Sequence, residues 1–222
     1  MKFLMGLTTT QLKTIAIIAM VIDHVGVVFF PNIIIFRIIG RLTFPIMSYF
    51  IMKGFLHTSN LKKYFVRIIL TLCFSIIPYY LVFDVWSGTV MFTFILSLIL
   101  LYCYKKNMLL FFASLLPCLI LSRFSDYSYF GLFLPLIFYI ARLRNMSYLP
   151  YIYIIVTSSL AVYFLGYMHI YCVPVGIFML LPLPFLENST YNKRKNIKYK
   201  YLFYVFYPSH LFILFILQNI LK

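Results

Sequence analysis

Long apolar runs separated by short polar stretches fill the chain from Leu12 to Leu221. They lack the strict alternation of half-buried strands. A segment crossing lipid must satisfy its own backbone N–H and C=O groups, so the pattern predicts helices and an all-α fold. At roughly 17 to 25 residues per span, nine spans are expected: Leu12–Phe30, Ile33–Phe55, Phe65–Phe83, Thr89–Tyr104, Met108–Leu121, Tyr127–Ala141, Tyr148–Leu165, Ile170–Leu186 and Tyr201–Leu221. Several are short, and a re-entrant pair at the fifth and sixth would make the number eight or ten. The expected architecture is a polytopic transmembrane bundle forming one domain over residues 1–222. Asp23 and His24 interrupt the first run and no small-residue cleavage pattern follows it, so it reads as a retained helix rather than a signal peptide.

The polar connections set the orientation. With the N-terminus in the cytoplasm, alternate connections carry Lys62, Lys63 and Arg67, then Lys105 and Lys106, then Arg142 and Arg144, then Lys193, Arg194, Lys195, Lys198 and Lys200. The opposite connections carry Asp84, Arg123, Asp126 and His169. This asymmetry follows the positive-inside rule and predicts a multi-pass protein of a cytoplasmic membrane. Composition agrees, with 64% apolar residues and a mean hydropathy of +1.00, well beyond a soluble domain. Nineteen Lys and Arg against four acids would suggest nucleic acid in a soluble chain. Here topology accounts for the excess, and no nucleic-acid partner is expected. Cys73, Cys103, Cys118 and Cys172 stand singly in apolar stretches, which favours neither disulfides nor a metal site.

Against this background a few polar side chains stand out. Asp23 and His24 fall in the first span, Arg37 and Arg41 in the second and His210 in the last. An ionised group near a bilayer centre costs about 2.5 to 3.5 kcal/mol on insertion scales, so such a cluster is a functional-site hypothesis. Arg37 and Arg41 are four residues apart and share a helix face, and the turn Phe30-Pro31-Asn32 brings that face back toward Asp23 and His24. An Asp23–Arg ion pair is the simplest electrostatic answer, and a structural clasp is its bland version. Lys13 lies eleven residues before His24, which places both on one face about 16 Å apart along the axis. A cation at the cytoplasmic mouth then lines up with a base deep inside, an arrangement suited to an extended cofactor with wet phosphates and a buried reactive end. Lys13 anchoring the helix at the headgroups is the alternative.

The segments "LKTIAIIAMVIDHVGVVFF", "RIIGRLTFPIMSYFIMKGFLHTSNLKKYFVRIIL" and "KYLFYVFYPSHLFILFIL" resemble the TraX family, whose conjugative-plasmid members are implicated in N-terminal acetylation of pilin. D-H, G-R-L-x-F-P, G-F-x-H-T and F-Y-P-x-H in this order carry the resemblance. TraX proteins in turn look distantly similar to the membrane acyltransferase-3 group, in which a basic residue, ten residues and a histidine mark the site in the first helix. Lys13 and His24 have that spacing. The resemblance implies acyl transfer from acetyl-CoA, with a peptide or protein of pilin type as the acceptor and His24 as catalytic base.

On that reading Asp23 orients or balances His24, Arg41 or Arg37 stabilises the developing oxyanion, and His210 serves as a second proton carrier or a donor to the thioester. Lys13, Arg37, Lys53, Lys62, Lys63 and Arg67 are candidates for cofactor contacts, and His57 is either a site residue or a loop histidine. His169 reads as a solvated loop residue. Three other functions compete: O-acetylation of an envelope glycan or lipid, a proton-coupled transporter built on the same charged residues, and a noncatalytic assembly factor. A transporter would bring paired broken helices, and Pro174, Pro182 and Pro184 have no counterpart in the first half.

Overall fold

The computed structural model describes residues 7–86, 89–165, 172–189 and 202–221, with side chains described outside 161–175. Among these residues the elements are helical: α1 (Thr9–Phe29), α2 (Ile34–Gly40), α3 (Thr43–His57), α4 (Leu61–Phe83), α5 (Val90–Lys106), α6 (Met108–Ser122), α7 (Ser128–Leu132), α8 (Leu134–Arg144), α9 (Leu149–Leu165), α10 (Cys172–Leu180), α11 (Leu183–Glu187) and α12 (Leu202–Ile220). The chain forms two compact units, Met1–Tyr49 with Met146–Phe203 and Phe50–Asn145 with Tyr204–Lys222. The chain changes unit inside α3, after Asn145 and again in the first turn of α12.

In the first unit α1 starts at a reciprocal cap. The Thr8 hydroxyl accepts from the Gln11 N–H, and the Gln11 side chain accepts from the Thr8 N–H at 2.8 Å. One face of α1 is closed by Leu12, Ala16, Ala19, Met20 and Gly26, and its small residues let α2 pack closely against it. The Phe30 ring stacks on Phe36 at 5.3 Å across the connecting turn. After Gly40 the helix tightens, with Arg41 N–H donating to Ile38 O at 3.2 Å and Leu42 N–H to Ile39 O at 3.1 Å. α3 then begins at Thr43, whose hydroxyl donates to Ala16 O of α1 at 3.1 Å. Pro45 sits in the first turn of α3, where its missing N–H costs nothing. α10 packs on α9 and on α2.

The second unit is built around α5, which packs on α4, α6, α7 and α8. Leu96, Leu100, Cys118 and Leu132 form a core there. Ser97 joins it through a 2.7 Å bond to Leu132 O, so a hydroxyl inside the bundle is satisfied by backbone. The Asn60 side chain caps α4 by accepting from Lys63 N–H at 2.9 Å.

Four helical segments are long and apolar enough to cross a membrane: Thr9–Phe29, Ile34–His57, Leu61–Phe83 and Leu202–Ile220. The protein is therefore a helical membrane protein. The nine spans expected from hydropathy are not all matched by spanning helices among the described residues. α6 has 15 residues, giving about 22 Å against a hydrocarbon core of about 30 Å. The expected sixth span is divided at Phe133 between α7 and α8, and the eighth at Leu181 and Pro182 between α10 and α11. Ile170 at the start of that eighth span and Tyr201 at the start of the ninth lie outside the described residues.

Candidate functional site

α1 and α2 run back to back through the short turn, and this hairpin brings the polar residues of the first two expected spans together. Arg37 Nη1 donates to Asp23 Oδ1 at 3.0 Å, closing an ion pair between residues fourteen apart. Asp23 keeps 13% side-chain exposure and Arg37 40%. Arg41, one turn beyond Arg37, also acts on the Asp23 carboxylate electrostatically. With little water near the carboxylate, each cation counts for more than it would at a wet surface. His24 follows Asp23 on α1 and is half-buried. At about 100° per residue, its side chain leaves the helix beside the pair rather than on top of it. Lys13, also half-buried, lies three turns earlier on the same helix.

The Asp23–Arg pairing read from the sequence is thus formed, and Arg37 supplies the guanidinium in contact. Arg37, considered above also as an oxyanion donor and a cofactor contact, is placed at Asp23. Gly40 belongs to the quoted G-R-L-x-F-P segment but received no role from sequence; a Cβ built there would strike the Asp23 Cβ and carboxylate.

The remaining candidates lie in the second unit. His210, on α12, is 6% exposed, with Nδ1 3.0 Å from Phe206 O and its ring stacked on that of Phe206 at 4.9 Å. Lys53 is half-buried in α3, while His57 is exposed in its last turn. Lys62 and Lys63 are exposed in the first turn of α4. Cations there oppose the helix dipole, so helix stability does not explain them. The Arg67 guanidinium lies over the rings of Tyr64 and Tyr204, at 5.7 and 5.9 Å from their centroids. Its buried Nε has no hydrogen-bond partner among the described residues. The two tyrosines were not singled out from sequence, because one lies on α4 and the other on α12. The same holds for the Tyr79 hydroxyl, which donates to Asp126 at 2.6 Å across 47 residues of chain. His169, Lys193, Arg194, Lys195, Lys198 and Lys200 lie outside the described residues.

A family model described as TraX protein matches residues 8–218. Among curated proteins, the probable fimbrial assembly protein FimC, serogroup H1, of Dichelobacter nodosus is 29% identical, over 92% of this chain and 93% of that protein. An uncharacterized protein of Rickettsia prowazekii (strain Madrid E) is 51% identical over 39 residues, 18% of this chain and 16% of its own. No solved structure matches.

Proposed function

We propose that this chain, which belongs to the TraX family, is a membrane acetyltransferase that carries an acetyl group from acetyl-CoA to the N-terminal amine of a secreted or membrane peptide of pilin type. The observation that carries the reading is the Asp23–Arg37 ion pair beside His24, inside a helical hairpin long and apolar enough to span lipid. Groups so costly in that setting are kept for chemistry or transport. The name of the Dichelobacter relative, a probable fimbrial assembly protein, points to a pilus-related substrate.

The first unit alone supplies the groups the reaction needs. His24 removes a proton from the acceptor ammonium, whose reference pKa near 8 puts it within reach of an imidazole base. The freed nitrogen attacks the thioester carbonyl carbon, the C–S bond breaks, and an amide and a thiolate result. Of the two protons the nitrogen gives up, one ends on the thiolate and the other leaves to solvent. Arg41 stabilises the oxyanion while Arg37 stays on Asp23, which balances the imidazolium as it forms.

For the donor's phosphates, Arg67 offers a test of fit in the second unit. Its buried Nε lacks a hydrogen-bond partner among the described residues, and the rings of Tyr64 and Tyr204 lie beside the guanidinium, whose planar set of donors matches phosphate oxygens. Lys62 and Lys63 add charge one turn away, with Lys53 and His57 on α3 as further candidates. Lys13 is the corresponding cation of the first unit. His210 remains a second proton carrier to be tested.

The finer topology belongs to the same proposal: nine passes with the N-terminus in the cytoplasm, donor sites inside, and the chain forming a single functional domain. The decisive measurement is mass spectrometry of secreted and surface peptides from cells with and without the protein. An acetyl increment at N-termini that disappears with the gene and with His24→Ala is expected. Unchanged N-termini would reject the activity, and the increment on glycan or lipid hydroxyls instead would reject the amine acceptor.

A further inference from the structure

The α1–α2 hairpin contains two glycines in close approach, and they meet different things. A Cβ at Gly26 would strike the Phe36 side chain, with Cγ at 2.8 Å; one at Gly40 would strike Asp23, with Oδ1 at 2.5 Å. Gly40 has no left-handed backbone that would itself demand glycine; it is the last residue of α2. In a helix glycine costs about 1 kcal/mol relative to alanine. What the position gains is space.

That space is filled by the Asp23 carboxylate. Arg37 and Gly40 are three residues apart on α2 and therefore share one face. The same oxygen that accepts from Arg37 Nη1 is the one a methyl group at position 40 would reach. Nor could Asp23 swing clear by changing rotamer, because its own Cβ is the nearest atom to the added carbon. Relief would require α1 and α2 to part or turn against each other, and either movement breaks the pair. We infer that Gly40 is a positioning residue: its missing side chain lets Asp23 lie against the α2 backbone, in register with Arg37 and next to His24. The catalytic consequence rests on the acetyltransferase reading; the placement of Asp23 does not.

The test uses the full chain in lipid nanodiscs and two readouts. A hydrophobic carbodiimide reports the state of Asp23 by mass spectrometry. Gly40→Ala is expected to raise Asp23 labelling at least fivefold, as is Arg37→Gln, whereas Gly54→Ala, whose added carbon meets the Tyr64 side chain outside this hairpin, is expected to leave it within twofold. In acetyl transfer Gly40→Ala is expected to lower kcat at least tenfold with KM for acetyl-CoA within twofold. Should Gly40→Ala fail to accumulate, the size swap Gly40→Ala with Asp23→Gly is expected to restore accumulation by removing the colliding atoms. Labelling unchanged in Gly40→Ala, or a swap no better than the single variant, would overturn the assignment. A wild-type protein with no transferase activity would instead reject the proposed function, with the labelling still deciding the role of Gly40.

Discussion

Asp23 and Arg37 meet at 3.0 Å inside an apolar helical hairpin. Removing one partner of a fully buried ion pair costs about 3–5 kcal/mol, and the 40% exposure of Arg37 brings the expected loss toward the lower end or below it. Arg37→Gln should therefore lower thermal stability, and Asp23→Asn with Arg37→Gln should recover most of it while leaving transfer abolished. A double variant with full activity would remove the pair from the mechanism. His24→Ala should leave insertion and expression near normal and should reduce transfer by about 10²–10⁴-fold, the range of a general base. Lys13→Ala should raise the KM for acetyl-CoA several-fold, with little effect on a short acetyl thioester lacking the nucleotide. Equal loss with both donors would dissociate Lys13 from the phosphates.

Helix caps and breaks can be separated from the chemistry. Thr8 and Asn60 satisfy backbone donors at the starts of α1 and α4. Thr8→Ala and Asn60→Ala should each cost about 1 kcal/mol, measured as a shift in unfolding midpoint, with kcat unchanged. Spans read from apolar runs agree closely with the observed helices where each run is a single helix: Met108–Leu121 against Met108–Ser122, and Phe65–Phe83 against Leu61–Phe83. The turn at Arg41 and Leu42 that divides the second expected span was not legible. Gly40 and Pro45 are tolerated near helix ends and in membrane helices alike, so local propensity does not choose between a continuous helix and a broken one. The contact of Thr43 with Ala16 forms only after α1 and α3 are packed.

Along the sequence of the second unit the basic residues concentrate on one set of connections, with Lys62, Lys63, Lys105, Lys106, Arg142 and Arg144, while the other set carries Asp84, Arg123 and Asp126. If that separation reflects the membrane, a tag inserted at Asn107 should be cytoplasmic and one at Phe124 external. In sealed vesicles of known orientation, acetyl-CoA should support transfer only from the face that carries Asn107. A periplasm-active reporter working at Asn107 would overturn the orientation, and donor used solely from the opposite face would overturn the direction of transfer.

By itself the sequence determined that this protein is helical and membrane-embedded, because the free energy of placing a segment in lipid is nearly a sum over its residues and needs no knowledge of neighbours. It also exposed Asp23, His24, Arg37 and Arg41, since a charge in an apolar run is conspicuous wherever the run folds. Only the tertiary structure decided that the Arg37 guanidinium lies 3.0 Å from Asp23, that Gly40 makes the room for it, and that Tyr64 and Tyr204 flank Arg67. Those outcomes depend on the register of one helix against another. Register is set by side-chain volumes meeting across a contact, as at Gly26 with Phe36 and Gly40 with Asp23, and neither strand of sequence carries that information alone.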